Sequence, residues 1–324
     1  MVLCTNGGEG IGLGHVRRCL SLARALATRG AECVFLVNED PKIVPLIADA
    51  GFPVRVAGKR LSGSAGIVSE AGRFDRIVVD SYLLTTADFT ALRSAGRLVV
   101  LDDLADRDIP ADLVVNPSPN AGALVYRSLP STRFLLGPSY AVLQPEFAEP
   151  GRREVGGSVR RVLITLGGGD PGGLTADVVR WVRSALPETP LDVVVGPLAE
   201  PPAIAPESGV SIHRSPDSMR TLMVRADLAV AAGGQTTFEL AATGTPSVVV
   251  AVADNQVPQS RAWDSEGALW YASPVWEQGL GERVSAMVRS LADDPAARAR
   301  MSERGRALVD GRGATRVAAA VLEG

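Results

Sequence analysis

Residues 10–18 read Gly10-Ile-Gly-Leu-Gly-His15-Val-Arg-Arg18, and this glycine-rich stretch decides the fold of the chain. A short apolar segment, Met1–Thr5, precedes it, and a helix-forming segment, Cys19–Leu26, follows it. This order predicts a β-strand, a tight turn and an α-helix. Glycine lets the backbone approach a ligand closely, and the N–H groups at a helix start favour a phosphate or sugar oxygen. We therefore expect a ligand beside this turn.

Strand and helix segments alternate along the rest of the chain. The pattern includes the apolar segments 32–37, 75–80 and 98–102, and it starts again at Arg161–Leu166. Such alternation predicts right-handed βαβ units and parallel sheets. Between the two series, residues 151–158 have the glycine- and charge-rich composition of a linker.

The sequence therefore predicts an α/β fold with two Rossmann-like domains, residues 1–150 and residues 151–324. The final helix is in a position to pack back on the N-terminal domain. Ligands of open α/β sheets bind outside the carboxyl ends of the strands, so we expect loops of both domains to line a shared cleft between the two sheets. The polar loops at predicted strand ends are residues 6–18, 80–82, 102–103, 167–171, 233–239 and 253–256.

The composition is that of a globular protein. Of the 324 residues, 46% are hydrophobic and 21% are charged, and the net charge of -3 gives no footprint for nucleic acid or a membrane surface. The three cysteines, Cys4, Cys19 and Cys33, lack metal-ligand spacing and are expected to be reduced core thiols. No apolar run reaches the roughly 18 residues of a membrane span. We expect a soluble, cytoplasmic protein whose oligomeric state is open.

The glycine-rich turn does not complete the dinucleotide fingerprint G-x-G-x-x-G. Starting at Gly10, the pattern needs a glycine where His15 stands; starting at Gly12, it needs one where Arg17 stands. The acidic pair Glu39-Asp40 does follow the second strand, as the ribose-binding acid of that motif would. The missing third glycine nevertheless argues against a dinucleotide site.

Two further glycine loops lie in the second half of the chain. The loop Gly167-Gly-Gly-Asp-Pro171 follows a strand and precedes a helix, so its backbone can hold a diphosphate without a lysine, although a tight turn explains it equally well. The second loop is Gly233-Gly234, and Glu239 lies one turn into the helix that follows. A carboxylate there can accept both hydroxyls of a ribose, or it can simply interact with the helix dipole.

Several sequence blocks, in order, resemble the PseG/SpsG family. They are T-N-G…I-G-x-G-H-x-x-R-C-L-x-L-A at Thr5–Ala23, then Val79–Tyr82, Leu101–Leu104, Leu136–Tyr140, Leu166–Pro171, Gly233…Glu239 and Ala253–Gln256. The family comprises UDP-sugar hydrolases of the pseudaminic acid pathway and related spore-coat polysaccharide proteins. The resemblance implies a GT-B-like fold, as in MurG-type glycosyltransferases, and a UDP-sugar held mainly by the C-terminal domain without a metal or cofactor. It also implies inverting attack of water at the anomeric carbon, which releases UDP.

The resemblance and the chemistry of this reaction give individual residues roles. His15 is the candidate base, because a neutral imidazole can take a proton from water near pH 7, whereas the second histidine, His213, lacks a glycine loop nearby. The predicted substrate-binding residues are Gly12, Gly14, Arg17, Asp80, Tyr82, Asn255 and Gln256. The predicted nucleotide-binding residues are Gly168, Gly169, Gly233, Gly234, Gln235, Thr236 and Glu239.

Some of these residues have a second interpretation. Arg17 either contacts the phosphate or is a solvated helix residue, and Asp80 either contacts the sugar or caps a turn. The pair Asp102-Asp103 lacks the partner acid of a metal motif, which favours loop capping. Two departures from the family pattern leave open which sugar and which nucleotide base are bound. Cys4 and Asn6 replace the usual arginine and aspartate, and Ala232–Gln235 lacks the usual serines beside the glycine pair.

The same site residues could serve several classes of function. A hydrolase that releases UDP from a deoxyamino sugar is the first interpretation. An inverting glycosyltransferase with a small-molecule acceptor is the alternative, in which His15 deprotonates the acceptor instead of water. No apolar or basic acceptor patch is evident in the N-terminal sequence, which favours the hydrolase. A non-hydrolysing sugar epimerase and a non-catalytic nucleotide-sugar binding protein are the other possibilities.

Overall fold

The structure is a computed structural model that describes residues 1–8, 10–58, 64–71, 73–149, 155–200, 202, 204 and 209–323. The chain divides into two units, Met1–Pro145 together with Arg312–Gly324, and Glu146–Gly311. We call them the first and the second unit. The boundary predicted at residues 150 and 151 lies outside the described residues, as does the first half of the linker, residues 151–154. That boundary and the cleft between the predicted domains stay predictions.

The first unit contains a parallel β-sheet with helices around it. Its strands are β1 (Val2–Thr5), β2 (Val34–Val37), β3 (Val54–Val56), β4 (Arg76–Asp80), β5 (Arg97–Leu101), β6 (Leu113–Asn116) and β7 (Arg133–Leu136). Its helices are α1 (Gly14–Ala27), α2 (Ile43–Asp49), α3 (Ser64–Ala71), α4 (Thr86–Ala95) and, at the end of the chain, α11 (Gly313–Leu322), which packs against α1.

The order of these strands places the glycine-rich turn. In the described part of the first unit the order is β3-β2-β1-β4-β5-β6-β7, and every pairing is parallel. The chain therefore winds in opposite directions from β1 and from β4, which are neighbours. Open α/β sheets bind ligands at such a switch point, outside the carboxyl ends of the strands. The turn after β1 and the last residue of β4, Asp80, both lie there.

Burial explains why these segments form inner strands. All residues of β1, β6 and the last four residues of β4 and β5 are buried. A parallel sheet is covered on both faces, so its inner strands are apolar runs rather than alternating sequences. Val2, Cys4, Ile77, Val79 and Val100 belong to one such buried layer. This layer fixes the strand ends that carry the polar loops.

The second unit repeats this architecture. Its strands are β8 (Val162–Thr165), β9 (Leu191–Val195), β10 (Val210–Arg214), β11 (Leu228–Ala232), β12 (Ser247–Ala251) and β13 (Trp270–Pro274). Its helices are α5 (Leu174–Ala185), α6 (Met219–Arg225), α7 (Thr236–Thr243), α8 (Gln256–Ser265), α9 (Leu280–Asp293) and α10 (Pro295–Leu308).

The two glycine loops of the second unit also follow its switch point. Among the residues described, the order is β10-β9-β8-β11-β12-β13, again with parallel pairings. The strands β8 and β11 are neighbours; Gly167 comes two residues after the end of β8, and Gly233 comes directly after β11. The predicted α/β class with two Rossmann-like sheets is confirmed. Within the described ranges, no helix combines the length and the apolar character needed to cross a membrane.

Candidate functional site

Main-chain hydrogen bonds close the glycine-rich turn of the first unit. Gly8 N–H donates to Gly12 O at 3.0 Å, and Gly12 N–H donates to Gly8 O at 2.8 Å. Gly8 and Gly12 have φ values of 112° and 85°, a region that favours glycine. The side chain of Asn38 holds the start of the turn, since it bonds both the N–H and the carbonyl of Gly7 at 3.0 Å. The turn is therefore fixed before α1 begins at Gly14.

His15 lies in the first turn of α1, against the end of β4. Its Nδ1 atom is 2.6 Å from Asp80 Oδ1, and the residue is 8% exposed. Burial alone would raise the pKa of Asp80, but Arg18 and His15 outweigh it and hold that pKa well below its ordinary value. A carboxylate that stays ionised accepts hydrogen bonds only, so Nδ1 of His15 carries the proton. In the neutral ring, Nε2 then has the free electron pair.

Arg18, one turn further along α1, joins two aspartates. Its Nε and Nη2 atoms each donate to Asp80 at 2.7 Å, and its Nη1 and Nη2 atoms donate to Asp103 at 2.8 and 3.0 Å. Burial alone would lower the pKa of Arg18, but Asp103 and Asp80 raise it well above the ordinary value. Burial would likewise raise the pKa of Asp103, and Arg18 lowers it instead. All three groups are therefore charged at neutral pH.

Tyr82 connects Asp103 with His15. Its hydroxyl donates to Asp103 Oδ2 at 2.7 Å. Its ring packs edge-on against the imidazole, with 4.5 Å between the ring centroids and an interplanar angle of 88°. The predicted residues His15, Asp80 and Tyr82 are thus brought together.

Asp80 does not have the surroundings of a sugar ligand. Its side chain has no exposed surface, and both of its oxygens are bonded to Arg18 or His15. Within the described ranges its carboxylate accepts no main-chain N–H, so the second interpretation, capping of a turn, finds no support there. The geometry favours a role in orienting His15 over the direct substrate contact predicted from the sequence.

The sequence interpretation missed Arg18 and Asp103. Arg18 falls within the quoted stretch, three residues after His15, but its partners lie 62 and 85 residues away. Asp103 was considered as a metal ligand or loop cap. The available signal was that Asp80 ends one predicted strand and Asp103 follows the next; these strands, β4 and β5, are adjacent in one sheet.

Asp102 has the capping role predicted for the aspartate pair. Its Oδ2 atom accepts the N–H groups of Leu104 and Ala105 at 3.1 and 2.7 Å, and the hydroxyl of Tyr126 at 3.1 Å. Burial raises the pKa of Asp102. Among the described residues, no group of three or more His, Cys, Asp or Glu side chains is arranged to hold a metal ion.

The remaining predicted residues of the first unit lie on the turn or beside it. Gly12 is partly buried, Gly14 is exposed and starts α1, and Arg17 is partly exposed on α1. No described residue comes within 4 Å of the point where a Cβ of Gly12 or Gly14 would lie. Their roles in substrate binding stay predictions.

The first glycine loop of the second unit is oriented by the segment after β9. Leu198 N–H donates to Gly168 O at 2.9 Å, and a Cβ on Gly196 would collide with the carbonyl oxygens of Gly167 and Gly168. A trans peptide is planar, so the N–H of Gly169 points opposite to the carbonyl of Gly168. The N–H of Gly169 is thereby directed away from Leu198, so it can donate to a phosphate on the side of the loop opposite to Leu198.

The aspartate of this loop caps the following helix. Asp170 Oδ1 accepts the N–H of Thr175, in the first turn of α5, at 2.9 Å. A carboxylate at a helix start occupies the place that a phosphate would otherwise take. The loop amides, rather than the N-terminus of α5, are therefore the groups suited to a phosphate.

The second glycine loop corrects one predicted contact. Gly233 N–H donates to Val250 O at 2.9 Å as part of the sheet, and Gly233 O accepts Gln259 Nε2 at 3.2 Å. A Cβ at this position would collide with Ser260 Oγ. Gly233 is therefore a close-packing residue whose N–H is already used, and Gly234 is the glycine of the pair that leads into α7.

The other predicted nucleotide ligands lie at the start of α7. Gln235 precedes the helix, Thr236 is its first residue, and Glu239 lies in its first turn. All three are partly buried. The N–H groups of Thr237 and Phe238 donate to Gly234 O and Gln235 O, both at 3.1 Å, so it is the helix dipole that favours an anion at this end of α7.

Asn255 and Gln256 lie at the start of α8. Asn255 is exposed, whereas Gln256 Oε1 accepts the N–H of Val252 at 3.0 Å. That bond ties Gln256 to its own loop and leaves its amide nitrogen for a ligand. The other histidine, His213, is bonded through Nε2 to the buried Asp192 at 2.8 Å, away from the glycine loops in sequence. The cysteines Cys4, Cys19 and Cys33 are free and buried.

No protein-family model matches the chain, but three known proteins do. An uncharacterised protein of Methanocaldococcus jannaschii is 25% identical over 270 residues, which are 77% of this chain and 55% of the relative. A Helicobacter pylori protein is named pseudaminic acid cytidylyltransferase and UDP-2,4-diacetamido-2,4,6-trideoxy-beta-L-altropyranose hydrolase. It is 25% identical over 260 residues, 79% of this chain and 45% of the relative. The chain thus spans about half the length of these two relatives.

The third relative matches along nearly its whole length. The spore coat polysaccharide biosynthesis protein SpsG of Bacillus subtilis is 25% identical over 349 aligned positions, which cover 97% of this chain and 95% of the relative. The chain is related to the PseG/SpsG family. Where that family's pattern has an arginine and an aspartate, the chain described here has Cys4, whose burial raises its thiol pKa to about 12, and Asn6, which accepts a hydrogen bond from Ser81.

Solved structures share the fold of the chain described here. MurG of Acinetobacter baumannii is 17% identical, with a TM-score of 0.65 over 99% of this chain and 98% of that chain. HepE of Anabaena, solved in complex with UDP-glucose, is 13% identical, with a TM-score of 0.62 over 99% of both chains. The GT-B-like fold implied by the sequence resemblance is confirmed.

Proposed function

We propose that the chain is a nucleotide-sugar hydrolase that releases UDP from a deoxyamino sugar by inverting attack of water at the anomeric carbon. The observation that carries this proposal is the pair formed by His15 Nδ1 and the buried, ionised Asp80 at 2.6 Å. This pair leaves Nε2 of His15 as a base. The proposal rests also on the relatives, one of which is named as a UDP-sugar hydrolase.

The base step follows from the tautomer of His15. Nε2 accepts a proton from water while the water oxygen forms a bond to the anomeric carbon. The bond from that carbon to the β-phosphate oxygen breaks, and its electron pair leaves with UDP. Asp80 stabilises the imidazolium that forms, because its negative charge is already in contact with Nδ1. The water attacks opposite to the leaving group, so the configuration inverts.

The leaving diphosphate is assigned to the second unit. The N–H of Gly169 and the positive end of the α7 helix dipole provide fixed dipoles where negative charge develops. Glu239, in the first turn of α7, is proposed to accept the ribose hydroxyls. Asn255 and the amide nitrogen of Gln256 are proposed to bind the sugar or the β-phosphate. Gly233 has no part in this assignment, because its N–H donates to Val250.

A glycosyltransferase is the second candidate. The observation that favours it is the fold, which MurG of Acinetobacter baumannii shares at a TM-score of 0.65. In that reaction, Nε2 of His15 would take the proton from an acceptor hydroxyl or amine. The two reactions differ in whether UDP is released when no acceptor is present.

Incubation of the protein with a panel of UDP-sugars, with and without acceptors, separates the two candidates. We expect NMR to detect free UDP and a reducing sugar of inverted anomeric configuration without any acceptor. Release that requires an acceptor would make the chain a transferase instead. The His15→Ala variant should lower the rate by about 10²–10⁴, whereas the His213→Ala variant should not, although His213 is also bonded to an aspartate. Equal losses in both variants would contradict the role of His15.

A further inference from the structure

Five side chains of the first unit form a closed circuit of contacts. His15 is bonded to Asp80, Asp80 to Arg18, Arg18 to Asp103, and Asp103 to Tyr82, whose ring packs against His15. The imidazole is therefore held at two places, by a hydrogen bond to Nδ1 and by a ring contact. Arg18 is the residue that both routes share.

The two contacts restrain different motions of the imidazole. The hydrogen bond between Nδ1 and Asp80 fixes one atom, but the ring can still tilt about that bond. The edge-on contact with Tyr82, with centroids 4.5 Å apart, restrains the plane of the ring. Nε2 lies off the line of that hydrogen bond, so the direction of its electron pair changes when the plane tilts. Its direction therefore depends on where the Tyr82 ring lies.

Asp103 determines where the Tyr82 ring lies. The phenolic hydroxyl donates its hydrogen to Asp103 Oδ2 at 2.7 Å, and Arg18 holds that carboxylate with two further bonds, at 2.8 and 3.0 Å. Hydrogen bonds to a charged group are the stronger class of such bonds. With its hydrogen used in this bond, the hydroxyl of Tyr82 serves as an anchor for the ring.

We propose that Asp103 is a positioning residue for His15, which acts through the anchored ring of Tyr82. Arg18 couples this second arm to the first arm, Asp80, so that the direction of Nε2 is set by both carboxylates. In this arrangement Tyr82 contributes its ring to catalysis, and its hydroxyl does not protonate the substrate. The catalytic consequence rests on the proposed function, whereas the control of the His15 ring does not.

NMR of the ligand-free protein tests the control of the ring without any substrate. The chain has two histidines, so labelled histidine in a His213→Gln background leaves the His15 signals alone in the spectrum. The ring current of Tyr82 shifts the carbon-bound protons of His15. We expect Asp103→Asn and Tyr82→Phe to move those signals in the same direction, since Tyr82→Phe removes the anchoring hydrogen bond and Asp103→Asn weakens it by removing the charge of its acceptor. Asp112→Asn, which removes a partly exposed aspartate of the same unit, should leave them in place.

The outcomes of this experiment are distinct. Unchanged His15 signals in a folded Asp103→Asn or Tyr82→Phe variant would overturn the proposal. Tyr82→Phe loses a single oxygen and keeps the pair of Arg18 with Asp103, so it decides the question if Asp103→Asn does not fold. Because no substrate is involved, the result holds even if the protein hydrolyses no nucleotide sugar.

A double-mutant cycle then tests the catalytic consequence. Each single variant, Asp103→Asn and Tyr82→Phe, should lower kcat about tenfold with little change in KM. The kcat of the double variant should be no lower than that of the less active single variant, because both substitutions act on the same link. Multiplied losses, or a Tyr82→Phe variant that loses one limb of the pH–rate profile, would instead make the hydroxyl an independent catalytic group.

Discussion

Arg18 and Asp80 form a doubly hydrogen-bonded ion pair, with both donor–acceptor distances at 2.7 Å, in which 5% of the Arg18 side chain and none of the Asp80 side chain is exposed. The same guanidinium also binds Asp103. One buried cation is therefore shared by two carboxylates, one of which holds His15. The charge balance of the site, its stability and the orientation of its base are consequences of this single arginine.

Removal of that cation should be costly for folding. Arg18→Met leaves Asp80 and Asp103 buried beside each other without a counter-charge, and we expect it to lower the free energy of unfolding by about 3–5 kcal/mol. Urea unfolding measures the difference. The control is Arg93→Met, which breaks the partly exposed pair of Arg93 with Asp112 and should cost less than about 1 kcal/mol. Equal losses in the two variants would contradict the central role of Arg18.

The lowered pKa values of Asp80 and Asp103 predict how stability changes with pH. Their folded-state pKa values lie below the ordinary value of about 3.9, so folding favours their ionised forms. The stabilisation is complete above that ordinary value and is lost as the pH falls through the folded-state pKa values. We expect the free energy of unfolding to fall below about pH 4, and the fall to be smaller in Asp103→Asn.

Asp102 gives the matched control for that measurement. Its pKa is raised by burial, so its contribution has the opposite sign and is present at low pH and lost as the pH rises. The Asp102→Asn variant should therefore steepen the loss of stability in acid, where Asp103→Asn reduces it. Urea unfolding from pH 7 to pH 3 distinguishes the two slopes, and identical profiles would refute the assignment.

The proposed base requires the tautomer set by Asp80. In Asp80→Asn an amide group can donate to Nδ1 of His15, which transfers the ring proton to Nε2 and removes the base. We expect kcat to fall by about 10²–10⁴, with the altered tautomer detected by nitrogen NMR of His15. Asp192→Asn removes the carboxylate bonded to the other histidine and should leave kcat unchanged. A normal kcat in Asp80→Asn would exclude this mechanism.

Gly196 should control nucleotide binding without touching the nucleotide. A Cβ there would collide with the carbonyls of Gly167 and Gly168 and so turn the N–H of Gly169. We expect Gly196→Ala to weaken the binding of UDP about tenfold in calorimetry, because UDP must return the displaced loop against an overlap that costs about 1–3 kcal/mol. Gly157→Ala adds a Cβ into open space in the same unit and is the control. If UDP binds both variants equally, the loop does not hold the phosphates as proposed.

The local parts of this site could be predicted from the sequence. The glycine-rich turn after the first strand, the start of α1 and the two glycine loops of the second unit all follow from patterns within about ten residues. The pairing of His15 with Asp80 could not be predicted in this way, because it joins residues 65 positions apart and depends on which strands are neighbours. For the same reason Asp80 was expected at the substrate and Arg18 was not singled out.

The hydrogen-bond partners of individual backbone groups also could not be predicted from the sequence. Gly233 and Gly234 are the same residue type in adjacent positions, yet the N–H of Gly233 belongs to the sheet through Val250. A pattern of glycines shows that a backbone can approach a ligand, but not which of its N–H groups already has a partner. Similarly, Gln256 matches a binding motif, while its carbonyl oxygen serves its own loop by accepting from Val252.

The most direct test of the account is the fate of the water oxygen. The protein is incubated with its UDP-sugar in ¹⁸O-labelled water without an acceptor, and mass spectrometry locates the label. If His15 activates water for attack at the anomeric carbon, the reducing sugar carries the ¹⁸O and the released UDP carries none. Label in the UDP would mean attack at phosphorus, and no release without an acceptor would mean transfer. Either result would contradict the hydrolase proposed here.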